Sequence, residues 1–399
     1  MDTITHGIAG ALIAKAAFNG EDLFPPTLVT KRRVITWSLL LGAIFPDSDV
    51  FRDMLSNDQL LMLTWHRSIT HSLICLPIWA VLLAALTDQV AKWRKWNAPS
   101  FLALCGIYAV GIVSHIFLDL LTTFGTMIWS PLEWSRPAWD ILFIIDFTFT
   151  AILLIPQLLA WVFEDPELLR RRSLTMALLF IPAPFLVSRI AQIVGAPISM
   201  GATILATILL AALFLSPVLF GWGAQTAYAS WNRAGLALAI LYLLAATFSH
   251  HVALERMKEF AKRENIEVNA LGALPLPPSF LHWDGLVRAP RGVYELRMDL
   301  SEGMTAADET HPEVLQHKYY PDAFPNPFIE QARVLPEVQK IMWFARFPVT
   351  RFHKEGSDAI VEISDLRFPQ TRRDRVASFT YRIRFSEDGK VLSQGWVTR

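Results

Sequence analysis

Long apolar stretches separated by short polar motifs dominate the first 250 residues, and an alternating pattern replaces them afterwards. A helix needs roughly 20 apolar residues to cross a bilayer. By that measure residues 72–91, 101–121, 141–163, 174–195, 201–222 and 234–250 read as full spans. Two shorter apolar runs, 7–18 and 34–46, read as half-spanning or tilted helices packed on the bundle. Residues 251–265 read as an amphipathic helix leaving the membrane. Pro275, Pro277, Pro278 and Pro290 make 270–292 a linker that is not helical throughout. Apolar and charged residues alternate in 293–300, 339–347, 358–366, 376–385 and 390–397, as in half-buried antiparallel strands. Glu387-Asp388-Gly389-Lys390 has the composition of a hairpin turn. The expected fold class is an α-helical polytopic membrane bundle of about six full spans plus two short N-terminal helices, followed by a small soluble β-rich C-terminal domain. The expected divisions are 1–250 (membrane domain), 251–292 (amphipathic helix and Pro-rich linker) and 293–399 (β-rich domain).

Charge follows the same division. Residues 1–250 carry 15 basic and 15 acidic side chains, and 251–399 carry 21 of each. The chain is 53% hydrophobic, too apolar for an ordinary soluble domain. Its net charge of zero gives no reason to expect nucleic acid. Cys75 and Cys105 lie inside apolar runs and read as buried structural residues, with no disulfide framework and no thiolate metal site. Asp2 and His6 do not suit a cleavable signal, so the chain reads as an uncleaved multi-pass protein. Lys31, Arg32, Arg33, Lys92, Arg94, Lys95, Arg170, Arg171, Arg172 and Arg233 alternate along the loops so that all fit one, cytoplasmic, side. The opposite loops, 122–140 and 196–200, hold only Arg136. The C-terminal domain then falls on the outer side.

On that topology the polar motifs share one depth. They are Asp2-Thr3-Ile4-Thr5-His6, Pro46-Asp47-Ser48-Asp49, His66-Arg67-Ser68-Ile69-Thr70-His71-Ser72 and His115-Ile116-Phe117-Leu118-Asp119. Ionisable side chains at a membrane boundary are expensive unless paired or functional. Imidazole with carboxylate is a ligand set for zinc, manganese or iron. His115 and Asp119 share one helix face. Asp47 and Asp49, two apart, point the same way if the segment is extended or a turn. Nearby hydroxyls (Thr3, Thr5, Ser68, Thr70, Ser72, Thr122 and Thr123) read as groups that orient ligands. Arg67, between the two histidines, reads either as a clamp for an anionic phosphate or as a loop charge. Asp140 reads as a helix cap, and Asp146 as a supporting residue of the site. His250 and His251 end the last span on the same side. Trp129, Trp134 and Trp139 fit an interfacial aromatic belt better than substrate stacking. His282, His311, His317 and His353 lack ligand spacing and read as surface residues.

The segments MDTITH, GAIFPDSD (42–49), HRSITHS (66–72) and HIFLDLLTTFG (115–125) resemble those of the YdjM-type bacterial inner-membrane metal-dependent hydrolases. The resemblance covers roughly residues 1–160 by motif. It implies a divalent-metal site at His6, Asp47, Asp49, His66, His71, His115 and Asp119, and a hydrolase activity. The expected cofactor is one or two ions, zinc ahead of manganese or iron. The expected activity is cleavage of a phosphoester or lipid-linked substrate by metal-activated water, with Asp47, Asp49 and Arg67 in catalytic roles. Membrane lipids are the expected partners. A metal transporter or sensor using the same cluster is the alternative, and a membrane-anchored partner-binding protein ranks third.

Overall fold

The computed structural model describes residues 1–17, 30–56, 58, 60–193, 198–223, 226–300, 317–368 and 379–397. His311 lies outside them. Helices α1 (Thr3–Ala17), α2 (Lys31–Ile44) and α6 (Phe101–Leu120) pack side by side, with α5 (Leu76–Arg94) against α6. Glycine permits the close approach. A Cβ on Gly10 would stand 2.7 Å from Ala43 Cβ and 2.9 Å from the Leu39 carbonyl oxygen. One on Gly111 would stand 2.8 Å from that same oxygen. Small residues of this kind let membrane helices touch backbone to backbone. Here they bring His115, one turn beyond Gly111, against the end of α2.

Between α2 and α5 the chain runs through a 3₁₀ turn at Phe45–Asp49, two short helices, α3 (Val50–Leu55) and α4 (Leu61–Thr64), and a second 3₁₀ turn at Ile69–His71. Helix α7 (Phe147–Phe163) packs on α1, and α8 (Leu169–Phe180), α9 (Ala183–Ile193) and α10 (Met200–Phe220) extend the bundle. Helix α11 (Tyr228–Arg263) is one continuous rod through the boundary placed at 250.

The count of six full spans is not what the structure shows. Among the described residues four helical stretches have the required length and hydropathy: Lys31–Arg52, Phe101–Leu120, Met200–Phe220 and Tyr228–Arg263. A broken pair, Leu61–His71 with Leu76–Arg94, bends by 70° and makes a fifth if counted as one span. The run 34–46, read as short, belongs to a 22-residue stretch because the 3₁₀ turn and α3 continue it. The run 174–195 is two helices, since Pro182 cannot continue α8. The run 141–163 becomes helical only at Phe147. The Asp146 side chain caps that helix, accepting from the Thr148 and Phe149 N–H groups at 2.9 and 3.1 Å.

Among the described residues the C-terminal part holds two four-stranded antiparallel sheets. In the first the order is β1 (Ala270–Leu276), β2 (His282–Ala289), β3 (Gly292–Asp299), β4 (His317–Pro321). In the second it is β5 (Pro348–Glu355), β6 (Asp358–Asp365), β7 (Thr380–Phe385), β8 (Val391–Trp396). The Pro-rich run 270–292, read as a linker, is therefore mostly strand. Pro275 is tolerated because β1 pairs only with β2, at the sheet edge. The run 339–347, read as a strand, is mostly helix: α13 (Pro336–Phe344), following α12 (Pro327–Arg333). Pro336 opens it, and Val338, Ile341 and Phe344 recur at three-residue spacing on its buried side. Residues 387–390 do turn, with Gly389 at φ +82° and the Ser386 N–H donating to the Lys390 carbonyl at 2.9 Å.

The β-rich part is joined tightly to the helices. Leu60, Leu63 and Phe124 enter one apolar core with Ile341, Phe344, Ile363 and Tyr381. Arg346 grips Asp140 through two hydrogen bonds of 3.0 and 2.7 Å, so Asp140, read as a cap, is an interdomain anchor. Asp146 accepts from Tyr242 Oη at 2.5 Å and from Ser279 Oγ at 2.6 Å. Arg367, buried, donates to the Thr123 and Phe344 carbonyls.

One buried carboxyl in this part makes stability pH-dependent. Asp284 is 1% exposed, and burial, then the Glu295 charge, raises its pKa to about 8. An unfolded Asp ionises near pH 4, so between about pH 4 and 8 the folded state holds a proton that the unfolded state has released. Stability therefore falls as pH rises through that window. Asp284→Asn is expected to gain a few kcal/mol over wild type at pH 8 and nothing at pH 4. Equal pH dependence of the two unfolding midpoints would count against this reading.

Candidate metal centre

Two histidines and two carboxylates converge where α2, α6 and the second 3₁₀ turn meet. Asp47, His71, His115 and Asp119 each offer one ligand atom, all within 4.8 Å of one another. His71, His115 and Asp119 are fully buried, and Asp47 is 11% exposed. His115 Nδ1 donates to the Ala43 carbonyl at 2.6 Å, which leaves Nε2 as a lone pair. Thr70 Oγ1 donates to Asp49 Oδ2 at 3.3 Å and so accepts from His71 Nδ1 at 3.1 Å. That leaves His71 Nε2 as a lone pair too. The two Nε2 atoms stand 3.0 Å apart. Asp119 Oδ2 lies 3.2 Å from the His71 Nε2 and 3.4 Å from the His115 Nε2, with no hydrogen-bond partner. Two facing lone pairs beside a buried, unpartnered carboxylate oxygen repel one another unless a cation sits between them. The residues present therefore fit a divalent metal, with outer partners fixing each imidazole tautomer.

The remaining predicted residues take other places. Asp49 is outside the quartet. Its Oδ1 accepts from His66 Nδ1 at 3.0 Å, and its Oδ2 accepts from the Arg67 N–H at 2.9 Å. His66 is likewise outside, 14% exposed, its ring packed edge-on to Phe124. His6 stacks on His115 with ring centroids 3.6 Å apart, and its Nε2 meets Asp119 Oδ1 at 3.2 Å. Thr3 Oγ1 donates to Asp47 Oδ2 at 2.6 Å. Asp2 caps α1 through the Thr5 N–H at 2.9 Å. His250 packs against Trp283 and has no place in the quartet.

Arg67 departs from its expected part as a phosphate clamp. The side chain is 2% exposed, with Nη2 on Asp119 Oδ1 at 2.9 Å and Nη1 on Thr122 Oγ1 at 2.9 Å. It holds Asp119 in place. Its backbone, at φ 62°, is in a region disfavoured for residues other than glycine.

Arg136 was not singled out for the site by the sequence. Its guanidinium donates to the Leu63, His66 and Gly125 carbonyls and lies over the Phe124 and Phe344 rings. Burial, then the Arg67 and Arg367 charges, lowers its pKa to about 9, so it stays cationic at neutral pH. It braces the segment carrying His66. The available signal was that it is the one basic residue in loops otherwise free of them. The surface reading holds for His282 and His353, paired with Asp299 and Glu355, and His317 is exposed against Phe260. Cys75 and Cys105 are free and half-buried.

Comparison with curated proteins and with solved structures finds no match. The model of one family does match, over residues 1–196, which carry the whole quartet. That family is described as YdjM inner membrane protein, and it is through this segment that the chain is similar to it.

Proposed function

We propose that the protein is a membrane-embedded metal-dependent hydrolase acting on a phosphoester of a lipid or lipid-linked substrate, at the periplasmic face of the inner membrane. The observation that carries this reading is the pair of facing imidazole nitrogens beside two carboxylates, buried at one end of membrane helices. The side assignment is supported by the basic loops. Arg32 and Arg172 meet at Glu164, 3.6 and 3.7 Å away, and Arg233 donates to the Ala16 carbonyl. Ala16 is at the far end of α1 from His6, so these charges gather away from the quartet.

Asp47, His71, His115 and Asp119 would hold the ion, and their mixed nitrogen and oxygen donors suit zinc, manganese or iron(II). A divalent ion held there would supply a water whose pKa is lowered to roughly 7 and a Lewis acid for a phosphoryl oxygen. The rest is the work of the side chains. Arg67 and His6 fix Asp119, and Thr3 fixes Asp47. Asp49 orients His66 so that Nδ1 carries the proton and Nε2 is free to accept one or pass one on. His66 is thus assigned to proton transfer and Asp49 to positioning it, in place of the ligand roles first expected of both.

The test is release of headgroup from a panel of phospholipids in mixed micelles. Turnover is expected with added zinc or manganese and is expected to vanish on chelation. His66→Asn should lower kcat about 10²-fold or more while metal content stays unchanged. Folded, metal-loaded protein with no turnover on any member would contradict the hydrolase reading. Metal uptake into proteoliposomes in its place would favour an ion pathway.

A further inference from the structure

Next in the chain to His66, at Trp65, residues of the helical part and of the β-rich part border an open groove of about 530 Å³. Trp65, Trp134 and Trp343 form its walls, and Thr64, Gln339 and Lys340 supply its polar edge. Trp65 and Trp134 meet edge to face, with centroids 5.8 Å apart and planes at 78°. Trp134 and Trp343 are 40% and 44% exposed. Arg52 covers one face of the Trp65 ring at 3.9 Å. Pro336 completes the lining, and among the described residues no branched aliphatic side chain joins it.

We infer that this groove is a subsite for a sugar ring, specifically a hexose carried on the headgroup of the lipid substrate. The lining decides between occupants. A hydrocarbon chain calls for aliphatic walls, and an interfacial belt calls for indoles spread around the protein. Here three indoles converge with an amide, an ammonium and a hydroxyl. A pyranose has a C–H-rich face that packs on an indole and an equatorial edge of hydroxyls that needs donors and acceptors. Indoles supply both an apolar face and an N–H, and a few placed polar groups set orientation. Trp134, fitted by sequence to an aromatic belt, lines this groove with Trp65 and Trp343.

Location links the subsite to the chemistry. Trp65 and His66 are chain neighbours, and His66 pairs with Asp49. Arg136 holds the Leu63 and His66 carbonyls on one side and lies 6.0 Å from the Trp343 ring centre on the other. A sugar seated against Trp65 is therefore one residue along the chain from His66, the group assigned to proton transfer, and shares Arg136 with it. As a statement about substrate this rests on the hydrolase reading. As a statement about binding it is tested apart from it.

The experiment is saturation-transfer NMR with maltose, cellobiose and N,N′-diacetylchitobiose on the full chain in a polyoxyethylene detergent, which carries no sugar. Wild type and a His115→Ala variant are both expected to transfer saturation to the sugar C–H protons of at least one probe. Trp343→Ala and the surface variant Gln339→Ala/Lys340→Ala are each expected to weaken binding by about tenfold or more, roughly 1.4 kcal/mol. Absence of transfer to all three probes in folded wild type overturns the proposal. So does full binding by both groove variants. Sugar binding without lipid turnover would sink the hydrolase reading and keep the subsite. Turnover without sugar binding would do the reverse.

Discussion

Asp119→Ala is expected to destabilise the protein by about 3–5 kcal/mol, the usual cost of removing one partner from a buried ion pair. Asp119 is fully buried and Arg67 is 2% exposed. The guanidinium reaches Asp119 at 2.9 Å, and the Met1 nitrogen also donates to the same oxygen. Without the carboxylate Arg67 keeps its charge, and its Nε already has no partner. The cost is therefore dominated by the cation left behind. Arg67→Met added to Asp119→Ala should recover most of the loss, because a well-packed apolar replacement of a whole buried pair is close to neutral. Equilibrium unfolding of the three proteins in detergent measures this. A single variant as stable as wild type would show that Arg67 does not depend on Asp119. The double variant should still lack metal, which separates the structural part of Asp119 from its ligand part.

The site was legible in the sequence to the extent that its histidines and aspartates stand at the ends of apolar runs. Burial of an imidazole or carboxylate at such a boundary requires partners, and four of the seven expected ligands do come together. Their division from the other three was not legible, because it depends on local turn geometry. Asp47 and Asp49 point the same way only if the segment is extended. In the 3₁₀ turn that forms at Phe45–Asp49, with three residues per turn, positions two apart diverge by about 120°. Asp47 therefore meets His71 and His115, while Asp49 meets His66 and the Arg67 backbone. Arg67, lying between the two histidines, was read either as a phosphate clamp or as a loop charge. Its side chain is instead buried on Asp119 and Thr122.

The fold shows the same limit. Long apolar helices such as α6 and α10 are set by hydropathy alone and were readable. Helix α13 was mistaken for a strand because its Trp343 and Phe344, with Phe347 just beyond its end, suggest β structure, while Pro336 and the three-residue spacing of its buried side chains argue for a helix. Strands β1 and β2 were hidden behind prolines that an edge position and a connecting loop accommodate. The break between α8 and α9 was in plain view at Pro182 but lies within a run apolar enough to count as a span.

The largest effect of all is expected in metal content, and its argument is electrostatic. Tautomers fixed by the Ala43 carbonyl and by Thr70 leave two imidazole lone pairs 3.0 Å apart, with Asp119 Oδ2 unpartnered beside them. Each donor atom alone would bind weakly at a membrane boundary, and the four together gain from being held in place before binding. The measurement is elemental analysis of detergent-purified protein, prepared without chelator, beside His115→Gln and His71→Ala variants whose helix content is checked by circular dichroism. The prediction is at least one divalent ion per wild-type chain and less than about a tenth of that in either variant, a loss of the size expected when a ligand is removed. Folded wild type that carries no ion, or variants that retain theirs in full, would contradict the metal centre and with it the catalytic account.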